Sequence, residues 1–253
     1  MINFNGKSIA LVGSAKYLSN FSFGSQIDSH DIVVRINKGI DILNESTFNK
    51  FGSRTDILYH CLLEDISDTN GSKFGFIEPI KWRQAGTQLI ICLPESDING
   101  ICLSNCLSNL VKKESIKKIQ NEITLEMMDY NLYNDLSYKI GCKPNTGIAA
   151  IYHILCQNPK KLSVYGFSFL LDGWIKEYRD GIQNLPESLE NGLTTIESWE
   201  EKCLNSKRHI QKNQWEFVKK INENFDNFFP DHYMNKILSM KDFKKENLQN
   251  FTM

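Results

Sequence analysis

The residues best suited to chemistry fall in two short turns. Pro144-Asn145-Thr146-Gly147 joins a proline with a fixed φ, two side chains able to bond local backbone, and a glycine that permits close approach of a ligand. The apolar run Ile148–Leu155 behind it predicts a helix, stopped at Asn158-Pro159. A helix start presents unpaired N–H groups and the positive end of a dipole, which suits an anionic ligand. The other turn, Gly13-Ser14-Ala15, follows the apolar run Ser8–Val12. Arg35-Ile36-Asn37 ends a further apolar run. Arg35 there either faces a ligand or pairs with Asp28 or Asp31 and holds the turn. Both turns would equally suit a doubly wound protein that binds nothing at them. Five histidines add groups that titrate near neutral pH. His60 and His153 lie in apolar segments and read as core, and His30 reads as closing a turn. His209 falls at or just before a helix expected over Ile210–Phe225, and His232 lies in the tail.

The elements that must hold these turns follow from hydrophobic patterning. Ser8–Val12, Asp31–Arg35, Ile57–Leu62, Gln88–Leu93 and Leu162–Tyr165 read as short strands, and continuous apolar runs of this length suit a buried parallel sheet. The expected fold is α/β: a single Rossmann-like domain over residues 1–253, its mainly parallel sheet flanked by helices. The first turn is not GxGxxG, so the dinucleotide fingerprint is absent. Asn109–Asn134 carries apolar residues at mostly helical spacing and predicts an amphipathic helix. Residues 170–207 hold scattered glycines with Trp174, Tyr178 and Trp199, too long for a plain connection, and read as a lid. Ser198–Leu204 within them reads as helix. The tail over residues 230–253 is aromatic and mildly basic; it reads as a solvated helix, with contact to an anionic membrane surface as the sharper alternative.

Composition narrows the function classes. A formal net charge of −1 gives no electrostatic footprint for nucleic acid. No 18-residue apolar run predicts a membrane span, and the first 20 residues lack a signal-peptide pattern. The seven cysteines show no zinc-site spacing and read as reduced thiols, which points to a cytoplasmic chain, with the tail allowing peripheral contact at the inner membrane face.

Two long stretches together resemble the sialyltransferases. Ile9–Lys38, with Gly13-Ser14-Ala15, Gly24–Asp28, His30-Asp31 and Arg35-Ile36-Asn37, is similar to the large sialylmotif of glycosyltransferase family 29. Phe51-Gly52-Ser53-Arg54-Thr55 continues it. Cys142–Phe169 resembles the small sialylmotif, from Pro144-x-Thr146-Gly147 to Val164-Tyr165-Gly166-Phe167. The places of the motif cysteines of the secreted animal enzymes fall near Ile9 and Pro159, and the third motif of that family is not visible. The C-terminal part looks closer to the bacterial family 42 enzymes, where a lid precedes a histidine and a helix follows it. Family 29 expects a glutamate five residues after its histidine, and Gln214 stands there instead.

The resemblance implies a variant GT-A glycosyltransferase fold and inverting transfer of a sialic acid from its CMP-activated form to a hydroxyl of a cell-surface glycan. It implies His209 as general base. Donor binding would fall to Gly13, Ser14, Ala15, Asn37, Thr146, Gly147 and the lid residue Tyr178. No metal and no cofactor are expected, because CMP can leave once hydrogen-bond donors neutralise its charge. The implied partners are the CMP-sugar donor and an oligosaccharide or glycolipid acceptor, in lipopolysaccharide or capsule assembly. Transfer of Kdo or another ulosonic acid is the nearest alternative, and a degenerate nucleotide-sugar-binding protein is the alternative of another class.

Overall fold

A computed structural model describes residues 3–61, 66–67, 73–74, 79–94, 119, 121–176, 178 and 195–250. The apolar runs become strands β1 (Ser8–Val12), β2 (Ile32–Ile36) and β3 (Ile57–His60). Strands β4 (Ile66–Ser67) and β5 (Lys73–Phe74) pair with each other in an antiparallel ribbon outside the main sheet. Then follow β6 (Leu89–Cys92), β7 (Thr124–Met127), β8 (Lys161–Tyr165) and β9 (Phe228–Pro230). The main sheet has seven strands in the order β7-β6-β3-β2-β1-β8-β9. Every pairing in it is parallel. The expected α/β fold with a parallel sheet is therefore what the chain adopts. Strand order runs outward from β1 through β2, β3, β6 and β7, then returns to β8 on the other side of β1. The reversal leaves a crevice beyond the carboxyl ends of β1 and β8, where ligands bind in sheets of this kind.

Parallel strands need crossover connections, and helices supply them. The helices are α1 (Gly24–Asp28), α2 (Phe48–Phe51), α3 (Pro79–Gln84), α4 (Tyr130–Ile140), α5 (Thr146–Cys156), α6 (Ile196–Leu204), α7 (Gln211–Asn224) and α8 (His232–Leu238). α5 starts two residues before the expected apolar run, because the Asn145 side chain accepts the N–H of Ile148 and caps it. Its Ile148, Ala149, Ala150, Ile151, Ile154 and Leu155 are all buried in the larger core. Each isoleucine so placed contributes about 1.5–3 kcal/mol.

Two expectations fail here. The single helix expected over Asn109–Asn134 is broken: Tyr130–Asn134 opens α4 and Ile119 is helical, but Thr124–Met127 between them is not, and residues 109–118 and 120 lie outside the described residues. Thr124–Met127 instead alternates polar and apolar side chains with period two and pairs with β6 as an edge strand. The tail is no solvated helix. α8 buries Tyr233, Met234, Ile237 and Leu238, and β9 adds the outermost strand beside β8. Pro230 lacks an N–H and sits on that edge strand, where no ladder donor is lost.

Asp231 joins the tail to the centre of the sheet. One carboxylate oxygen caps α8 at the Met234 N–H, 2.8 Å away. The other accepts the Tyr17 hydroxyl at 2.7 Å and the Gly166 N–H at 2.9 Å. The Tyr17 oxygen in turn accepts the Phe167 N–H at 3.0 Å. The rings of Tyr17 and Tyr233 stack at 4.1 Å. Burial pushes the pKa of Tyr17 well up and raises that of Asp231.

Beside this group, Asp172 accepts the Tyr17 N–H. Burial, helped by Glu200, raises its pKa to about 6, although the Tyr17 N–H, Lys16 and Lys245 oppose the shift. An unfolded chain ionises this carboxyl near its ordinary value, so folding stability falls as pH rises from about 4 to about 6. Asp172→Asn keeps the acceptor and removes the charge. We expect it to raise the melting temperature at pH 7.5 by roughly 3–6 °C, about 1–2 kcal/mol after solvent screening, with no gain at pH 3.5. A scan of melting temperature against pH that shows an equal gain at both ends would refute this.

Candidate functional site

The two turns named by sequence face each other across the crevice. Asn37, just beyond β2, donates from its side-chain amide to the Thr146 hydroxyl at 3.2 Å. Its carbonyl oxygen accepts the Cys61 N–H at 3.2 Å, beyond β3. Asn37 holds a left-handed φ of 45°, which aims its amide back over the sheet's edge. The Tyr178 hydroxyl hydrogen-bonds to the side chains of Asn37 and Ser14, and burial raises its pKa to about 12. Ser14, Asn37, Thr146 and Tyr178 thus form one polar cluster at the switch point. Of the expected lid, Ile196–Leu204 forms α6, and residues 177 and 179–194 lie outside the described residues.

The glycines have a different reason from the one their sequence suggested. A Cβ on Gly147 would lie 2.4 Å from Cε1 of Phe167, and one on Gly13 would lie 2.8 Å from the same ring. Phe167 is a wedge between the two turns, and only a hydrogen fits on either side of it. The Gly13 N–H donates to the Tyr165 carbonyl at 2.7 Å, and the Ala15 N–H donates to the Gly166 carbonyl at 3.0 Å. Those two groups serve the sheet, so Ser14 is the residue of this turn that reaches the cluster. Ala15 also bridges to Trp174. At the second turn, Thr146 and Gly147 open α5, where N–H groups have no intrahelical acceptor.

His209 is folded over onto the second turn. Its Nδ1 lies 2.8 Å from the Lys143 carbonyl oxygen, which can only accept, so Nδ1 carries the proton. The Nε2 nitrogen is then left with its lone pair, the tautomer a general base requires. The start of α7 is stitched to the same loop. Asn213 donates to the Ile140 carbonyl at 2.9 Å, and the Gln214 side-chain oxygen accepts the Asn145 N–H at 2.8 Å. Gln214 is fully buried, so the amide at the position where glutamate was expected still ties the histidine-bearing helix to the turn.

The remaining candidates are structural. Arg35 is fully buried, and its guanidinium donates to the carbonyls of Phe51 and Arg54 and to the Thr55 hydroxyl. It holds the Phe51–Thr55 turn by carbonyls, with Asp28 and Asp56 as nearby counter-charges. His30 donates from Nδ1 to the Gln26 carbonyl at 2.9 Å, and its Nε2 meets the Ser163 hydroxyl at 3.0 Å. His153 meets the Tyr59 hydroxyl at 2.8 Å, and burial lowers its pKa to about 4. Among the described residues no group of three or more His, Cys, Asp or Glu is placed to hold a metal ion. No disulfide joins the described cysteines, while Cys102 and Cys106 lie outside them. Among the described residues no helix is long and apolar enough to cross a membrane. Sequence reading missed the roles of Phe167, Tyr17 and Asp231. Phe167 stands inside a quoted motif, but no local pattern reveals that a ring separates two distant glycines.

A parallel sheet with a polar cluster at its switch point defines the class as a Rossmann-like α/β fold with a ligand-binding crevice. The family model of glycosyltransferase family 29 (sialyltransferase) matches residues 5–79. A search of curated proteins by sequence returns no match. Among solved structures, the sialyltransferase CstII from Campylobacter jejuni in complex with CMP-3FNeuAc is 12% identical, with TM-score 0.52, covering 88% of this chain and 81% of that one. The monofunctional alpha-2,3-sialyltransferase Cst-I from Campylobacter jejuni is 12% identical, with TM-score 0.51, covering 100% of this chain and 85% of that one. A mammalian sialyltransferase is 15% identical, with TM-score 0.46, covering 89% of this chain and 68% of that one. The chain thus shares the fold of these Campylobacter jejuni sialyltransferases over most of its length, and its first third, residues 5–79, carries the family 29 signature.

Proposed function

We propose that this chain transfers a sialic acid from CMP-sialic acid to a glycan hydroxyl with inversion at the anomeric carbon. The observation that carries the reading is the Asn37–Thr146 bond, which closes two distant turns into one pocket edge, with His209 held on the second turn by the Lys143 carbonyl. His209 Nε2 takes the proton of the acceptor hydroxyl as its oxygen attacks the anomeric carbon. The bond from that carbon to the phosphate oxygen breaks, and its electron pair leaves with CMP. Ser14, Asn37, Thr146 and Tyr178 supply donors to the phosphate, and the N–H groups of Thr146 and Gly147 add the positive end of α5. A protein that supplies this many donors does not need a metal for leaving-group departure. CstII, which shares this fold, forms complexes with CMP and with CMP-3FNeuAc, which supports cytidine as the base of the donor.

The test is a calorimetric titration with CMP and with UMP. We expect CMP to bind at least about tenfold more tightly, a difference of about 1.4 kcal/mol. Equal affinities would remove the donor assignment. Hydrolysis of CMP-Neu5Ac against CMP-Kdo then fixes the sugar without knowledge of the acceptor, and activity that persists in EDTA supports the metal-free step.

A further inference from the structure

At the root of the expected lid, Asp172–Ile175 runs antiparallel to Ser14–Tyr17 as a short ribbon. Ile175 donates its N–H to the Ser14 carbonyl at 2.8 Å, and the Gly173 carbonyl accepts the Lys16 N–H at 3.2 Å. Ala15 and Trp174 form the bridge between these bonds. At the far end the Tyr17 N–H goes to the Asp172 carboxylate, a side chain in place of a backbone acceptor. A little beyond the ribbon stands Tyr178, whose hydroxyl reaches Ser14 and Asn37. The ribbon therefore delivers a member of the polar cluster to the turn it is zipped to.

Two features load this ribbon. Its entry is a turn in which Phe169 and Leu170 hold left-handed φ angles of 52° and 63°, a conformation that residues with side chains avoid. Such backbone persists where its surroundings hold it, and here the ribbon bonds do the holding. The second feature is charge. Glu200 of α6 packs on Gly173, so closely that a Cβ there would lie 2.6 Å from a carboxylate oxygen. The groups that face Asp172 are Glu200 from α6, Lys16 from beside the first turn, Lys245 from the tail and Tyr233 from α8.

We propose that Asp172 is a positioning residue for the first turn: protonated, it ties the ribbon to Glu200 and keeps Tyr178 on Ser14, and ionised, it repels Glu200 and loosens the hold of that cluster on the donor phosphate. A protonated carboxyl accepts the Tyr17 N–H on one oxygen and donates from the other, whereas a carboxylate only accepts and here meets a like charge. The Asp172 pKa of about 6 places the change close to neutral pH. Lys16 and Lys245 offset part of the repulsion, so the effect is partial. Linkage fixes its sign. A carboxyl whose pKa is raised in the tight ribbon favours that ribbon in acid, and the advantage is lost as pH climbs from the ordinary carboxyl range to about 6. The part played by the donor phosphate rests on the transferase reading; the proton-dependent ribbon does not.

The test is a calorimetric titration of CMP into the full chain and into Asp172→Asn, at pH 4.5 and at pH 7.5. The ligand's own ionisation cancels in the ratio of the two affinities. Asparagine keeps an acceptor for Tyr17 and offers an N–H to Glu200, so it stands in for the protonated acid. We expect equal affinities at pH 4.5 and about fivefold tighter binding by the variant at pH 7.5, where a full pKa unit of coupling would give about tenfold. Glu200→Gln should bring the same gain at pH 7.5, and the two changes together should bring no more than either alone. Amide exchange without ligand is an independent readout: the Tyr17 and Ile175 N–H groups should exchange faster in the parent than in Asp172→Asn at pH 7.5, and alike at pH 4.5. An affinity ratio that stays constant with pH, or additive gains from the two substitutions, would overturn the proposal, whatever happens to the melting temperature. If CMP shows no preference over UMP while the exchange difference appears at pH 7.5 alone, the transferase reading falls and the proton-dependent ribbon stands. If cytidine preference holds and the affinity ratio is flat, only this inference falls.

Discussion

Replacing His209 with alanine should lower sugar transfer by about 10²–10⁴-fold, the usual contribution of a general base. CMP affinity should stay within about twofold of the parent, because the side chain meets the second turn at the Lys143 carbonyl rather than at Asn37 or Thr146. That carbonyl is near the surface at a part-buried histidine, so water replaces the lost donor at a cost of about 1 kcal/mol or less. Steady-state rates with CMP binding measured alongside separate the two effects: a fall in kcat with an unchanged nucleotide Kd identifies a group that acts on the reacting hydroxyl. A variant that retains activity within a few-fold would show that another side chain takes the proton.

The next largest effect is expected from Gly147→Ala. The added methyl would sit 2.4 Å from Phe167 Cε1 and 3.3 Å from Ile36 Cδ1. The ring cannot retreat, because Gly13 stands on its other side with the same lack of room. Overpacking of this kind costs about 1–3 kcal/mol, or roughly 2–12 °C in melting temperature. Thr146 is carried away from Asn37 in the process, so CMP affinity should fall by about tenfold, as one lost hydrogen-bonded closure would give. Phe167→Leu in the Gly147→Ala background makes room, and the pair should recover more than the sum of the single changes allows. Simple additivity of the two substitutions, measured by denaturant melts, would remove Phe167 from its place as the wedge.

The central strands were legible because each is a short apolar run ended by a turn: Ser8–Val12, Ile57–His60 and Leu162–Tyr165 need no partner to be recognised. The edges were not. Thr124–Met127 carries only two apolar residues at alternate positions, and its neighbours supplied enough leucine and methionine to imitate a helix. Phe228–Pro230 is three residues long, and its pairing depends on β8, far away in the chain. For the tail, the i, i+1, i+4, i+5 set Tyr233, Met234, Ile237 and Leu238 did carry a helical signal, and Asp231 is a cap residue. What sequence could not show is that Asp231 also holds Tyr17 and Gly166, since both partners are remote. For the site, residue types pointed to the two turns and the family resemblance to His209, whereas the tautomer of His209 and the commitment of the Gly13 and Ala15 N–H groups depend on contacts made only after folding.

The neighbours of β1 have a kinetic consequence. One edge of this strand is completed by β2, close behind it, but the other waits for β8, where Ser8 meets Lys161. Until that late segment arrives, a flat apolar edge stands bare, open to pairing with another chain. A fragment limited to residues 5–79, the part the family model detects, would contain the first turn yet lack its wall. It should therefore aggregate rather than bind nucleotide, and slow refolding with a marked dependence on protein concentration is the behaviour to look for in the whole chain.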